Sequence, residues 1–371
     1  MRDRMKIIVS GGGTGGHIYP ALTVIEALRA ECPAAEFLYV GTKEGLEADI
    51  VPKEGIPFRA VDAAGLKRSL SPANFLRIGR TMKGVLEARS IVREFAPDLV
   101  IGTGGYAAGP ILLTAALSGV PTLIQEQNVY AGITNKLLAR FVTKIAVGLE
   151  EARHFFPAEK TVVTGNPIRG AVLTAEPAYD AYGFTPEKPV VLISGGSRGA
   201  RTINLAMVDV LRKASGDAGV QYFLVTGQGE YALVRKKLSE AGISLETAAH
   251  IKVEPYLYDM PSAMAMADLA VFRAGATGIA ELTAKGIPSI LVPYPYAAEN
   301  HQEKNARALE RVGAARVILN RELTGELLKT SIDALLGDRA ALRAMGERSL
   351  ALGKPNAARD IAKLGLSLIR H

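Results

Sequence analysis

A glycine-rich turn close to the start of the chain combines backbone donors with a histidine. Residues 10–17 read Ser-Gly-Gly-Gly-Thr-Gly-Gly-His, after a strand-like run and before a helical pattern. Glycine lets a backbone approach a ligand closely, and the first N–H groups of a helix attract an anion. The turn therefore predicts a site for a phosphorylated ligand. A tight turn that only packs helix against strand is the alternative.

The spacing of this turn also matches a dinucleotide fingerprint, because Gly11, Gly13 and Gly16 satisfy G-x-G-x-x-G. That fingerprint needs an acid at the end of the second strand to bind the ribose, and residues 39–42 read Tyr-Val-Gly-Thr. The nicotinamide interpretation is thereby weakened. The chain has no G-x-x-x-x-G-K-[ST], which excludes a P-loop kinase or ATPase at the motif level.

A second turn of the same kind lies in the other half of the chain, at residues 194–200. It adds the hydroxyl of Ser197 and the guanidinium of Arg198 to the backbone donors, a set that suits a diphosphate. Farther on, residues 273–281 run from a strand into a helix that carries Glu281, whose carboxylate can accept both hydroxyls of a ribose. A solvated helix residue is the alternative for Glu281. Residues 299–305 are polar enough to bind sugar hydroxyls or to cap a helix.

The elements that position these turns alternate along the chain. Short apolar runs alternate with amphipathic segments, which predicts an α/β fold with parallel strands and crossover helices. Each half twice sends a strand into a glycine-rich turn, so we expect two Rossmann-like domains facing a cleft. The predicted strands are 6–10, 37–40, 58–61, 98–101, 122–125, 144–147, 161–163, 190–194, 222–226, 250–253, 269–272, 289–292 and 315–318.

The domain boundary is expected near the Gly-Asn-Pro-Ile sequence at residues 165–168, which leads into a looser segment. We expect a first domain over 1–165 and a second over 166–356. A helix at about 357–370 is expected to pack back on the first domain. A chain of 371 residues is long enough for two cores.

Composition excludes several other classes of protein. The single cysteine, Cys32, rules out a disulfide framework and argues against a thiolate metal cluster. We expect no export signal, since residues 1–10 contain no long apolar run. Nowhere do about 18 apolar residues follow one another, so any membrane contact is expected to be peripheral.

The net charge of +7 is concentrated in one segment. Residues 64–93 hold seven basic residues against one acid, Glu87. Phe75, Ile78, Met82 and Leu86 recur there at helical spacing and predict an apolar face flanked by basic residues, which suits docking to an anionic membrane. Core packing is the alternative for part of that face. The basic residues on which this interpretation depends are Lys67, Arg68, Arg77, Arg80 and Lys83.

Seven blocks of the sequence together resemble the MurG family of N-acetylglucosamine transferases, from about residue 5 to residue 316. Three are glycine loops, at residues 11–17, 102–106 and 195–200. The others are residues 125–128, 165–169, 273–276 with Glu281, and 301–306. The resemblance implies the two-Rossmann glycosyltransferase fold of GT-B type.

The resemblance also implies a reaction and its donor site. The expected reaction is an inverting transfer of N-acetylglucosamine from its UDP form to a lipid-linked muramoyl-pentapeptide, in peptidoglycan synthesis. Glu281 is expected to bind the ribose, Ser197 the diphosphate, Arg169 the nucleotide region, and the backbone near Tyr256 and Leu257 the uracil. The other expected donor-binding residues are Thr14, Gly15, Gly16, Asn128, Ala276, Thr277, His301 and Gln302. Because some members have Gln in place of His301, Gln302 is the firmer sugar contact.

The resemblance also implies a site for the acceptor, with Gly104, Gly105 and Tyr106 as its residues, in addition to the basic segment that is expected to contact the membrane. It implies a peripheral protein on the cytoplasmic face of the cell membrane. Expected partners are the lipid-linked acceptor, the anionic membrane surface and other cell-wall synthesis proteins, but no nucleic acid. UDP-N-acetylglucosamine is expected as donor substrate, with no tightly bound cofactor.

The chemistry requires a base for the acceptor hydroxyl and stabilisation of the departing UDP. No Asp-x-Asp motif is present to hold a metal, so the Ser197 loop and helix N-termini are assigned to the diphosphate. His17 is the expected base, because a helix N-terminus disfavours the imidazolium form. A histidine that only caps the helix is the alternative.

Three rival functions differ in what they require. A related UDP-sugar transferase with another acceptor, such as a diacylglycerol, would differ only in its product. A dinucleotide oxidoreductase would need the ribose-binding acid after Val40. A non-catalytic membrane scaffold would need the basic segment but none of the sugar-binding blocks.

Overall fold

A computed structural model describes residues 4–63 and 72–369 of the chain, with only the backbone described for residues 72–81. The chain divides into two compact units. Unit 1 comprises Met1–Ile168 and Pro355–His371, and unit 2 comprises Arg169–Lys354. Unit 1 ends three residues later than the boundary expected from the sequence. The amide of Asn166 explains this, because it bonds to Gln125 and to the carbonyl of Gln127 inside unit 1.

Unit 1 is built around a parallel sheet of seven strands in the order β3-β2-β1-β4-β5-β6-β7. The register pairs Ile7 with Phe37 of β2 and with Leu99 of β4. The strands are β1 (Lys6–Ser10), β2 (Glu36–Gly41), β3 (Phe58–Ala60), β4 (Leu99–Gly102), β5 (Thr122–Glu126), β6 (Lys144–Val147) and β7 (Thr161–Val163). The helices are α1 (Gly15–Glu31), α2 (Glu47–Lys53), α3 (Pro72–Phe95), α4 (Ala108–Leu117), α5 (Ile133–Leu138) and, from the end of the chain, α15 (Ala357–Leu366).

Alternating apolar residues of this sheet form two cores, one on each face. Ile8, Val100 and Ile124 point to the face covered by α4, whereas Ile7 and Leu99 point to the other. On that second face lie α1 and α15, and Ile361 of α15 is fully buried. A Cβ atom at Gly365 would lie 3.0 Å from Leu99, so α15 approaches the sheet closely there. Both faces of a parallel sheet must be covered, and the last helix of the chain completes this cover.

Unit 2 repeats the arrangement with a parallel sheet of six strands, ordered β10-β9-β8-β11-β12-β13. The strands are β8 (Val190–Ser194), β9 (Gln221–Val225), β10 (Ile251–Glu254), β11 (Leu269–Phe272), β12 (Ser289–Leu291) and β13 (Ala315–Val317). The helices are α6 (Gly170–Thr174), α7 (Tyr179–Tyr182), α8 (Arg201–Ala214), α9 (Gln228–Glu240), α10 (Met260–Met266), α11 (Ala276–Lys285), α12 (His301–Arg311), α13 (Gly325–Gly337) and α14 (Arg339–Leu352). The α/β fold with two Rossmann-like domains is thereby confirmed.

Candidate active site

The predicted glycine turns follow the strands at which the order of each sheet reverses. In unit 1 these are β1 and β4, and in unit 2 they are β8 and β11. Open parallel sheets bind ligands outside the carboxyl ends of their strands at this switch point. The turn after β1 contains Gly12 and the turn after β4 contains Gly105, and a Cβ atom at Gly105 would lie 2.3 Å from Gly12 O. Only a glycine at 105, which also has a φ of +81°, permits this contact.

His17 lies in the first turn of α1, between these two glycine turns. Its Nδ1 lies 3.1 Å from the carbonyl oxygen of Gly12 and 3.4 Å from Oγ1 of Thr14. A carbonyl can only accept, so Nδ1 carries the hydrogen in the neutral ring and Nε2 is the proton acceptor. A Cβ atom at Gly104 would lie 3.2 Å from Nε2. The glycine at 104 therefore leaves room beside the nitrogen that can act as a base.

Several other predicted site residues of unit 1 surround His17. The ring of Tyr106 borders Gly13, since a Cβ atom there would lie 3.1 Å from it. Thr14 and Gly16 are exposed, and Gly15 is half-buried. The structure therefore brings the predicted donor residues of the first turn next to the predicted acceptor residues of the second.

The first glycine turn has fewer open backbone donors than its sequence indicates. The N–H of Gly12 donates to the carbonyl of Gly104 at 3.3 Å, and the N–H of Gly13 donates to the carboxylate of Glu47 at 3.0 Å. An anion at this turn could not accept from those two N–H groups and would lie near the Glu47 side chain. Two of the backbone donors of this turn are therefore already paired within unit 1, which counts further against a dinucleotide enzyme.

A second buried acid, Glu126, orders the segment that carries Asn128. Its Oε1 accepts from the backbone and side-chain N–H groups of Asn128, at 3.1 and 3.3 Å. Its Oε2 accepts from Gly132 and from Nδ2 of Asn135, at 2.9 and 2.8 Å. Oδ1 of Asn135 is buried and has no hydrogen-bond partner among the described residues. Asn135 also borders Gly104, which makes it a site residue that the sequence analysis missed.

In unit 2, Glu281 and Arg169 form an ion pair. Nε and Nη2 of Arg169 donate to Oε1 of Glu281 at 3.3 and 3.1 Å. The Glu281 side chain is only 8% exposed, so the solvated alternative for it is wrong. Burial raises the pKa of the Glu281 carboxyl, and Arg169 opposes the increase. Among the described residues none donates to Oε2, so this oxygen can accept from a ligand hydroxyl.

The remaining predicted residues of unit 2 follow four of its strands. Ser197 is exposed in the turn after β8, between Gly196 and Gly199, which both have positive φ. Tyr256 and Leu257 follow β10, and Ala276 and Thr277 begin α11 after β11. Gln302 and His301 begin α12 after β12. All of these residues lie beyond the carboxyl ends of the strands, where a nucleotide sugar is expected to bind.

Arg273 holds together the two segments of unit 2 that carry the predicted sugar contacts. Its Nη1 donates to the carbonyls of Val292 and Pro293 and to Oδ1 of Asn320, at 3.1, 3.0 and 2.9 Å. Burial lowers the pKa of its guanidinium to about 10. The N–H of Tyr294, the next residue in the segment, donates to Oε1 of Gln302 at 2.9 Å. Arg273 had a place in a motif but no assigned role in the sequence analysis.

The basic segment lies partly outside the described residues. This applies to Lys67 and Arg68, and to the side chains of Phe75, Arg77 and Arg80. On the described part of α3, Met82 and Leu86 are 67% and 71% exposed, so these two residues do not pack in the core. Lys83 contacts Asp62 and Glu87 at 3.7 Å. No helix within the described ranges is both long enough and apolar enough to cross a membrane.

Comparison with known proteins gives matches over nearly the whole chain. Residues 7–147 match the glycosyltransferase family 28 N-terminal domain, and residues 190–364 match the C-terminal domain of that family. A UDP-N-acetylglucosamine–N-acetylmuramyl-(pentapeptide) pyrophosphoryl-undecaprenol N-acetylglucosamine transferase of Listeria monocytogenes serovar 1/2a is 47% identical, over 99% of this chain and 100% of the relative. One of Desulforamulus reducens is 46% identical, over 97% of both chains. The crystal structure of Acinetobacter baumannii MurG superposes with a TM-score of 0.78 at 28% identity, covering 98% of this chain and 99% of that one.

Proposed function

The chain belongs to glycosyltransferase family 28 and, within it, to the N-acetylglucosamine transferases to which the Listeria and Desulforamulus relatives belong. We propose that it catalyses the reaction stated in the names of these relatives. In this reaction N-acetylglucosamine passes from UDP-N-acetylglucosamine to the undecaprenyl-diphospho-muramoyl-pentapeptide acceptor, converting lipid I to lipid II in peptidoglycan synthesis. The observation that carries this proposal is the 47% identity over the full length of a relative with that name.

The donor is held by unit 2. Oε1 of Glu281 is fixed by Arg169, and its Oε2 accepts from a ribose hydroxyl. Uracil lies against the backbone near Tyr256 and Leu257, and Ser197 donates to the diphosphate. Ala276, Thr277, His301 and Gln302 contact the sugar. Support for this arrangement comes from the places of Ser197, Tyr256, Leu257, Ala276, Thr277, His301 and Gln302, which all follow the carboxyl ends of strands in that sheet.

The transfer is a direct displacement with His17 as general base. The acceptor hydroxyl oxygen attacks the anomeric carbon, the bond from that carbon to the diphosphate oxygen breaks, and UDP leaves with the bonding electrons. The hydroxyl proton passes to Nε2 of His17, whose Nδ1 already donates to Gly12. Donors preorganised around Ser197 stabilise the diphosphate as its charge grows. Attack from the opposite side turns the α-linked donor into a β-linked product.

Unit 1 brings the site to the acceptor, whose polyprenyl chain stays in the bilayer. Met82 and Leu86 of α3 and Leu117 at the end of α4 are exposed apolar residues of this unit. Exposed apolar residues suit contact with a bilayer, and the basic residues of the 64–93 segment suit an anionic leaflet by their charge. The protein is accordingly peripheral, on the cytoplasmic face of the membrane, where it meets the lipid-linked acceptor through Gly104, Gly105 and Tyr106.

Product analysis tests the proposed reaction. The protein is incubated with UDP-N-acetylglucosamine and a short-chain lipid-linked muramoyl acceptor, and both free UDP and the lipid-linked disaccharide are quantified. Equal amounts of the two products are expected, and none when the acceptor is omitted. Formation of an N-acetylglucosaminyl diacylglycerol, with no disaccharide on the muramoyl lipid, would establish the rival acceptor class. UDP release without any glycoside would contradict a transferase.

A further inference from the structure

Glu47 is a buried acid of unit 1 that the proposed mechanism does not use. It begins α2 and is 0% exposed. Its Oε1 accepts from the N–H and the hydroxyl of Thr42, at 3.0 and 2.8 Å, and its Oε2 accepts from the N–H of Gly13 at 3.0 Å. Three donors converge on this side chain, so that both of its oxygens act as acceptors.

The chain leaves space for this carboxylate at three glycines. A Cβ atom at Gly12 or at Gly45 would lie 2.4 or 2.2 Å from Oε1 of Glu47, and one at Gly41 would lie 2.5 Å from its Cγ. No side chain other than hydrogen fits at these positions while Glu47 keeps its place. The turn after β2 and the turn after β1 are thus both shaped around one carboxyl group.

Glu47 and His17 lie at opposite ends of a single peptide group. The N–H of Gly13 and the C=O of Gly12 belong to the same peptide, and they point in opposite directions. Glu47 accepts from the N–H at 3.0 Å, while Nδ1 of His17 donates to the C=O at 3.1 Å. A negative charge at the N–H polarises the amide, which makes its carbonyl oxygen a stronger acceptor.

We propose that Glu47 is a positioning residue for His17, acting through the Gly12–Gly13 peptide as a relay from carboxylate to imidazole. The relay rests on the proposed role of His17 as base. It keeps the hydrogen on Nδ1, so that Nε2 carries the lone pair that takes the proton of the acceptor hydroxyl, and it stabilises the imidazolium formed by this transfer. A carboxylate bonded directly to a histidine does the same in hydrolase triads. Here one peptide group separates the two.

Other charged and titratable groups near His17 lie on neighbouring elements, and substitution of Glu47 leaves these groups in place. The helix N-terminus of α1 opposes the imidazolium. Glu126 of β5 is connected to the His17 environment through Asn135, and Tyr106 borders Gly13. Tyr39 donates to the carbonyl of Gly11 at 2.7 Å, and both burial and Glu47 raise its pKa. Of these groups, Glu47 alone shares a peptide with the Nδ1 contact of His17.

Substitution of Glu47 by Gln tests the relay, because Gln keeps the size but not the charge. ¹⁵N-labelled histidine side chains report the tautomer and the titration midpoint of His17, with His17→Ala identifying its signals. In wild type we expect the Nδ1–H tautomer. In Glu47→Gln we expect a mixture of tautomers and a lower midpoint, so the acidic limb of kcat/KM moves to lower pH. We also expect kcat to fall on the order of 10–100-fold, with KM for UDP-N-acetylglucosamine within about twofold.

Two control variants separate the relay from a merely structural role. Asp49→Asn removes an exposed carboxylate from the same helix, and Thr42→Val removes one donor to Glu47 but leaves the bond to Gly13 intact. Both should keep the His17 tautomer and midpoint of wild type. If Glu47→Gln is poorly folded, Glu47→Asp is used, whose charge is kept but whose reach is shorter. It should shift the tautomer in the same direction by a smaller amount.

The outcomes distinguish failure of the relay from failure of the proposed function. A wild type that transfers sugar, together with a Glu47→Gln variant whose His17 tautomer, midpoint and pH profile are unchanged, would overturn the relay. A loss of tautomer control in Thr42→Val equal to that in Glu47→Gln would also overturn it, since only packing would then be involved. A wild type that makes no disaccharide refutes the proposed function, and the NMR measurement still decides the relay.

Discussion

Two acids of the candidate site, Glu47 and Glu281, are both buried but differ in their partners. Glu47 is held by uncharged backbone and hydroxyl donors of unit 1, whereas Glu281 is held by the guanidinium of Arg169 in unit 2. An acid bound by neutral donors is suited to holding backbone in place. An acid with one oxygen paired and the other open is suited to accepting from a ligand.

Replacing His17 by Ala should lower turnover roughly 10²–10⁴-fold, because a general base contributes about that much to rate. UDP affinity should be nearly unchanged, since the base acts on the acceptor and not on the nucleotide. Steady-state kinetics and calorimetric titration with UDP measure the two quantities. Turnover within threefold of wild type would remove His17 from the mechanism.

Replacing Glu281 by Ala should have the opposite pattern and weaken UDP binding. Loss of a hydrogen bond to a charged acceptor costs on the order of 1.5–3 kcal/mol, which is about 10–150-fold in Kd. Calorimetric titration measures the change, with Glu326→Ala at an exposed position of the same unit as the control. UDP binding as tight as in wild type would refute the ribose contact.

The buried carboxyl of Glu281 also predicts how the stability of the protein depends on pH. Because burial raises the pKa of its carboxyl, the folded protein holds this proton to higher pH than the unfolded chain does. Its contribution to stability is therefore full below the ordinary glutamate pKa and is lost as pH rises through the raised value. Glu281→Gln removes this dependence. The urea unfolding midpoint of the variant, measured relative to that of wild type, should therefore increase as pH rises from about 4.5. A difference that does not change with pH would contradict the raised pKa.

At the scale of elements, the two units share the same hydrogen bond between their two central strands, from a backbone N–H to an aspartate side chain. Asp98, just before β4, accepts from the N–H of Lys6 at the start of β1, and Asp268, just before β11, accepts from Val190 at the start of β8. Both distances are 2.8 Å. The internal repeat indicated by the glycine turns thus extends to the opposite end of each sheet. It includes the order of the central strands as well as the turns.

All thirteen predicted strands are present in the described part of the chain, with ends displaced by one residue at most. Strands buried on both faces are short apolar runs bounded by glycine turns, and this signal is local in the sequence. The buried acid Glu47 gave no such signal. Glu47 follows exposed Lys43 and Glu44, and only the packing of α2 beneath the first glycine turn buries it. Contacts between segments distant in sequence cannot be derived from a local pattern.

Membrane docking through α3 and the segment before it is an element-scale prediction. Replacing Lys67, Arg68, Arg77 and Arg80 with Gln should weaken binding to vesicles that contain anionic lipid, since each basic residue near such a surface contributes about 1 kcal/mol. Binding of wild type should also fall as salt rises, because the charges are screened over about a Debye length. Sedimentation with vesicles measures both effects.

The matched control removes four exposed basic residues from unit 2, where no docking surface is proposed: Lys213, Arg235, Lys236 and Arg321. This variant has the same net charge as the first and should bind vesicles like wild type. Equal binding by all three proteins, or binding that does not respond to salt, would refute electrostatic docking. The sugar-transfer proposal would be unaffected.

At the scale of the whole molecule, α15 makes the stability of unit 1 depend on the end of the chain. Ile361 is fully buried against the sheet, so Ile361→Ala should destabilise unit 1 by about 2–5 kcal/mol, the usual cost of removing a buried isoleucine side chain. Hydrogen exchange should accelerate in β1 and β4 and not in β8 and β11. Equal acceleration in both sheets would show that the two units do not unfold separately. Leu350→Ala, at an exposed position outside unit 1, is the control.

The division of unit 1 into two separate stretches of chain also constrains the order of events on the ribosome. Residues through Ile168 emerge first, but Pro355–His371 are made only after all of Arg169–Lys354. At about 5–20 residues per second this interval lasts roughly 10–40 s. During that time the part of the sheet face that α15 will cover, around Leu99 and Ile101, lacks this helix, whereas α1 lies on the same face. The nascent chain therefore presents an apolar surface to chaperones until α15 has been made, although all of unit 2 has been made by then.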